Sequence, residues 1–150
     1  MSRAYIALGA NLGDPPAQVR GAFDALAKIP GVKLLAQSSL YRSAPIGVAG
    51  QGDYCNAACV VETSLTPEQL FEALLAIERA AGRVRDGQRW GPRRLDLDLL
   101  VYEGVVSDAL QLTLPHPEIA RRNFVLVPLA EIAPELEIPG LGVVQVLAQR

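Results

Sequence analysis

The chain holds only two cysteines, one histidine and one tryptophan in its 150 residues, and it has no long hydrophobic run. Each shortage closes a class of reading. Cys55 and Cys59 are four apart in a stretch that reads as extended. Their Cα atoms then stand about 13 Å apart, too far for a disulfide. One histidine supplies a zinc site poorly. Both thiols are expected to be buried or idle in a reducing cytoplasm. No apolar stretch approaches membrane-spanning length, and the first twelve residues lack the apolar core and cleavage site of a signal peptide. A net charge of −2 argues against a general nucleic-acid binder, which carries a basic excess. No G-x-x-x-x-G-K-[ST] motif occurs, which excludes a P-loop nucleotide site.

What is present is enough for one domain over residues 1–150: half of the residues are hydrophobic, and neither a repeat nor a linker interrupts them. Residues 3–9 alternate as a strand. Asp14 is a helix N-cap with prolines behind it, and apolar residues recur at helical spacing to residue 29. Residues 32–41 read as a second strand and 54–63 as a third. Thr66, Pro67 and Gln69 open a second helix with a cap, a first-turn proline and a capping-box amide. Residues 95–102 read as a fourth strand, followed by a short strand at 105–106, short helices near 118–121 and 125–132, and a last helical turn at 143–149. The order predicts an α+β fold with a ferredoxin-like βαββαβ core. An antiparallel sheet would carry helices on one face, with small C-terminal additions. The segment GANLG at residues 9–13 reads as a tight strand-to-helix turn.

The informative segment is residues 89–100, RWGPRRLDLDLL. Asp96 and Asp98 alternate with leucines, so in a strand they share one face, roughly 6–7 Å apart. A charged outer strand face is the plain explanation. However, aspartate is a poor strand former, and two same-face carboxylates repel unless a cation lies between them. Magnesium takes few carboxylates, several waters and phosphate oxygens. Six of the twelve arginines lie within residues 79–94. Such a patch in an acidic chain suits a small anionic ligand, and guanidinium groups favour bidentate phosphate contacts.

Tyr54 and Asn56 share a face of the third strand. Polar outward positions explain them, but a phenol ring and an amide side by side also suit a flat heterocycle. Phe124 reads as core. Trp90, among arginines in a glycine-proline loop, is a reasonable stacking group. His116 is held between two prolines.

Together these residues resemble the 6-hydroxymethyl-7,8-dihydropterin pyrophosphokinase family. The central signature at 89–100 is joined in the family's order by AYIALGANL at 4–12, SSLYR at 38–42, DYCNA at 53–57, GRVR at 82–85, LPH at 114–116 and RNF at 122–124. The resemblance implies transfer of pyrophosphate from ATP to the pterin's hydroxymethyl oxygen, releasing AMP. It implies two magnesium ions on Asp96 and Asp98, with Arg83 and Arg93 assisting catalysis. The pterin would lie between Tyr54 and Phe124, its polar edge on Asn56 and on backbone groups of Ser43, Ala44 and Ile46, with Trp90 closing over the site. ATP would meet Leu75, Glu78, Arg85, Trp90, Arg93, Leu99, Gln111, Thr113, His116, Pro117 and Arg122. Ala44, Leu75, Gln111 and Pro117 depart from the residues common in the family, mostly around the adenosine. Loops 43–53 and 83–92 are the expected lids. The protein is expected to act as a monomer on small molecules, without nucleic acid or membrane. The competing readings are a non-catalytic ferredoxin-like nucleotide- or RNA-binding module, which lacks the aromatic strand signature of RNA-binding sheets, and a metal-dependent kinase releasing ADP.

Overall fold

The computed structural model describes residues 1–43, 54–81, 95–121 and 123–149. Its first strand, β1 (Ser2–Ala10), is buried over most of its length because it lies inside the main sheet with helices on both sides. Asp14 then caps α1 (Pro15–Ala27), its carboxylate accepting from the Ala17 N–H at 3.2 Å. Val19, Ala22, Phe23 and Leu26 recur at helical spacing and bury one face of that helix.

The chain continues through β2 (Val32–Gln37), β3 (Tyr41–Ser43), β4 (Tyr54–Thr63), α2 (Pro67–Ala80) and β5 (Asp96–Tyr102). At the start of α2 the Thr66 hydroxyl accepts from the Gln69 N–H at 3.1 Å, and the Gln69 side chain accepts from the Thr66 N–H at 2.9 Å. This is the expected capping box. A hairpin follows, β6 (Ser107–Ala109) and β7 (Leu112–Leu114), then a 3-10 turn at Ile119–Arg121 and α3 (Asn123–Ile132). The chain closes with β8 (Glu137–Ile138), β9 (Gly142–Val143) and α4 (Val144–Ala148). No helix among the described residues is long and apolar enough to cross a membrane.

The main sheet is antiparallel, in the order β2-β4-β1-β5, and β3 pairs with β4 beyond the end of β2. Strand alternation divides its side chains between two cores. Ala4, Ile6, Leu8, Ala57, Cys59, Leu97 and Leu99 pack with α1 and α2. Tyr5, Ala7, Ala58, Val60, Leu100 and Val101 pack with α3, α4 and the turn at Ile119.

Three expectations are corrected. Helices cover both faces of the sheet, because the C-terminal additions contribute Leu126, Leu129, Ile138, Val144 and Leu147 to a second core. The second strand is not continuous over 32–41: it ends at Gln37 and resumes at Tyr41. Gln37 pairs with Cys59 and Tyr41 with Asn56, so four steps on one side match three on the other. That one-residue excess is a bulge. Finally, Val105 forms only a bridge to Tyr102, and the strand begins at Ser107.

Candidate active site

The site residues converge because three strands align. In the antiparallel register Asn56 on β4 stands opposite Gly9 on β1, and Gly9 stands opposite Asp96 on β5. Two residues along, Ala58, Ala7 and Asp98 form a second row. Residues directly opposite each other share a face, so Tyr54, Asn56, Asp96 and Asp98 all face the α3 side. Two strand spacings separate Asn56 from Asp96, about 10 Å. Gly9 and Ala7 floor the interval.

Gly9, read as the last residue of the first strand and the first of a turn, lies inside β1, and the turn glycine is Gly13, with φ 71°. A Cβ at residue 9 would stand 3.3 Å from Asn56 Oδ1. The small residue therefore keeps open the ground between the amide and the carboxylates. The sequence holds a trace of this in the alternation of Ala7 and Gly9, but which strands flank them is set by pairing.

Asn56 is 4% exposed, and its Nδ2 donates to Ser43 Oγ at 2.7 Å. Ser43 was expected to offer backbone groups, and here its side chain also fixes the amide. Phe124 lies in the first turn of α3, which packs over β4 and β3 on this same face, and it is half-buried against the second core.

On the acidic side His116 is brought to Asp98. Its backbone N–H donates to Leu100 O at 2.8 Å. Its Nδ1 accepts from the Glu118 N–H at 3.2 Å, so the neutral ring carries its proton on Nε2. Nε2 faces Asp98 Oδ1 at 3.8 Å, longer than a hydrogen bond. Glu78, on α2, is buried, and its Oε2 accepts from the Leu97 N–H at 2.7 Å. It thereby holds the backbone between the two aspartates.

The remaining expected nucleotide residues flank β5. α2 carries half-buried Leu75 and packs against β5, and β7 carries Thr113 beside it. The Thr113 hydroxyl donates to Ala109 O at 3.1 Å, across its own hairpin. Gln111 and Pro117 are exposed. The Leu99 side chain points into the α1–α2 core, so only its backbone faces the strand edge. Ala44, Ile46, Arg83, Arg85, Trp90, Arg93 and Arg122 lie outside the described residues, as do the expected lids at 43–53 and 83–92 apart from Ser43, which ends β3. Cys55 and Cys59 are free and buried, as expected, and burial pushes the Cys59 thiol up to about 12.

Known proteins resemble this chain over nearly its whole length. Residues 5–134 match the model of the 7,8-dihydro-6-hydroxymethylpterin-pyrophosphokinase family. A protein of Methylorubrum extorquens named 2-amino-4-hydroxy-6-hydroxymethyldihydropteridine pyrophosphokinase is 49% identical over 99% of this chain and 94% of its own. One of the same name from Pseudomonas aeruginosa is 45% identical over 93% and 85%. The fold is shared with a crystal structure of Plasmodium falciparum HPPK-DHPS with pteroate, at a TM-score of 0.77 and 13% identity. The alignment covers 99% of this chain but 42% of that one, so this chain spans less than half the length of that protein. The chain belongs to the 7,8-dihydro-6-hydroxymethylpterin-pyrophosphokinase family.

Proposed function

We propose that the face carrying Tyr54, Asn56, Asp96 and Asp98 transfers pyrophosphate from ATP to 6-hydroxymethyl-7,8-dihydropterin in folate biosynthesis. The hydroxymethyl oxygen attacks the β-phosphorus. The bond from that phosphorus to the oxygen bridging the α-phosphate breaks, and AMP leaves. The observation that carries this reading is the row Asn56–Gly9–Asp96. It sets a heterocycle-binding amide and an acidic pair on one face, about 10 Å apart, with only small side chains between.

The residues suit their parts. Asn56, held by Ser43, presents its remaining amide oxygen toward the floor and the pterin's polar edge. Tyr54 and Phe124 supply aromatic faces for the ring. Asp96 and Asp98 are an oxygen-only donor pair, which fits a hard cation. Among the described residues no cluster of three or more His, Cys, Asp or Glu completes a metal cage. That suits magnesium, which fills its shell with waters and substrate phosphate oxygens. Two such ions, when bound, neutralise charge on the entering and leaving oxygens. Arg83 and Arg93 are the proposed catalytic cations, and Arg85 and Arg122 further phosphate contacts. Glu78 and His116 hold the acidic strand and its neighbouring segment in place, and positioning of this kind accounts for much of phosphoryl-type catalysis. The strand order β2-β4-β1-β5 supports a ferredoxin-like reading of the sheet. The free thiols fit a reducing cytoplasm, where the protein is proposed to act as a monomer on small molecules.

Incubation with magnesium, ATP and the hydroxymethyl dihydropterin tests the reaction. Pterin-dependent AMP is expected. ADP instead would make the protein an ordinary kinase, and no turnover with good substrates would leave a binding module. Asp96→Ala and Asp98→Ala are each expected to lower kcat by about a hundredfold or more with an unchanged circular dichroism spectrum. Full activity in either variant would remove the metal assignment.

A further inference from the structure

Between β2 and β3 the chain crosses a gap that a distant carboxylate spans. Glu131, on α3, accepts from the Ser39 N–H at 3.0 Å and 3.2 Å through its two oxygens. It accepts from the Ser39 hydroxyl at 3.0 Å and from the Tyr41 hydroxyl at 2.5 Å. Next to it the Ser38 hydroxyl accepts from the Ala58 N–H at 2.9 Å and donates to Ser39 O at 2.7 Å. These bonds hold the bulge that inserts one residue between Gln37 and Tyr41.

The insertion decides a face. Side chains alternate along a strand, so one residue more or less moves everything after it to the other side. With the bulge, Tyr41 stands opposite Asn56 and Ser43 opposite Tyr54, on the site face. Only there does Ser43 Oγ reach Asn56 Nδ2 at 2.7 Å. That bond leaves Oδ1 as the amide atom turned toward Gly9.

We infer that Glu131 is a positioning residue for pterin recognition: it locks the bulge that turns Ser43 onto Asn56 and so sets the orientation of the amide. It also ties β3 to α3, the helix that carries Phe124 in its first turn, so one carboxylate fixes both walls of the ring site relative to each other. The inference rests on the pterin reading above.

Steady-state kinetics of the wild-type chain, Glu131→Gln and Tyr41→Phe test it, together with binding of non-reacting 6-hydroxymethylpterin by fluorescence. Glu131→Gln cannot accept all four donated bonds. It is expected to raise the pterin KM and Kd about tenfold, with the ATP KM within about twofold of wild type. Tyr41→Phe removes one bond and is expected to raise the pterin KM about two- to fivefold. An unchanged pterin KM in Glu131→Gln would overturn the proposal. A fall in kcat alone would do so too, since lost folded enzyme lowers kcat without moving KM. If Glu131→Gln does not fold, Tyr41→Phe decides by the same split. Wild-type turnover with indifferent variants strikes only the role of Glu131; a wild type that binds no pterin strikes the functional reading and this role with it.

Discussion

Position 9 shows how much can rest on one missing side chain. Glycine inside a strand costs backbone entropy, about 0.5–1 kcal/mol against alanine, so its presence in β1 calls for a reason. The reason is the neighbour: a methyl group there would stand 3.3 Å from Asn56 Oδ1, beside the row leading to Asp96. Gly9→Ala is expected to keep its unfolding midpoint, the entropic gain offsetting the tight contact. Its pterin KM is expected to rise about ten- to a hundredfold through the displaced amide. Equal pterin kinetics in the variant would show that residue 9 does not bound the site. The aspartates were legible because their alternation with leucines is a local pattern. Asn56 was legible as a polar residue in an apolar run. The floor between them was not, since Gly9 lies between Asn56 and Asp96 only once β1 has paired with both β4 and β5.

Among the elements, those with local signals formed as the sequence predicts. α2 begins where Thr66, Pro67 and Gln69 place it, because each of those residues satisfies or dispenses with an end N–H of the helix. Thr66→Ala is expected to destabilise the protein by about 1 kcal/mol. It should lower the thermal midpoint by roughly 2–4 °C and leave kcat at 25 °C unchanged. An unchanged melting curve would mean that the first turn of α2 does not depend on its box. Strand β2 carries the opposite lesson. Residues 32–41 alternate well enough to read as one strand, yet the strand breaks at Ser38. The break is stabilised by Glu131, which is 92 residues along the chain from Ser39. Tyr41 draws the Glu131 carboxyl below its ordinary value, and Glu131 in turn raises the Tyr41 hydroxyl. The pair therefore holds at neutral pH and weakens as acid protonates the carboxylate. No pattern within ten residues of Ser38 contains that information.

For the molecule as a whole, the decisive fact is that both faces of the sheet are covered. α1 and α2 build one core, and α3, α4 and the short C-terminal strands build the other. The second core also forms the site wall, since α3 carries both Phe124 and Glu131. We expect the two cores to unfold as one unit. Leu26→Ala in the first and Leu129→Ala in the second, both at fully buried positions, should each cost about 2–5 kcal/mol. Each should shift one shared urea transition, seen alike by circular dichroism and tyrosine fluorescence. A separate early transition in Leu129→Ala would divide the molecule into independent units.

The sequence by itself determined the helices, most of the strands and the family, and it singled out the acidic and aromatic residues proposed for the site. All of these rest on spacing within a few residues or on motifs met in order. The tertiary structure decided which face each strand shows, what closes the second face and what separates the amide from the carboxylates. Those depend on register and on contacts between segments far apart in the chain. A one-residue bulge is enough to reverse a face, and nothing local distinguishes it from a continuous strand.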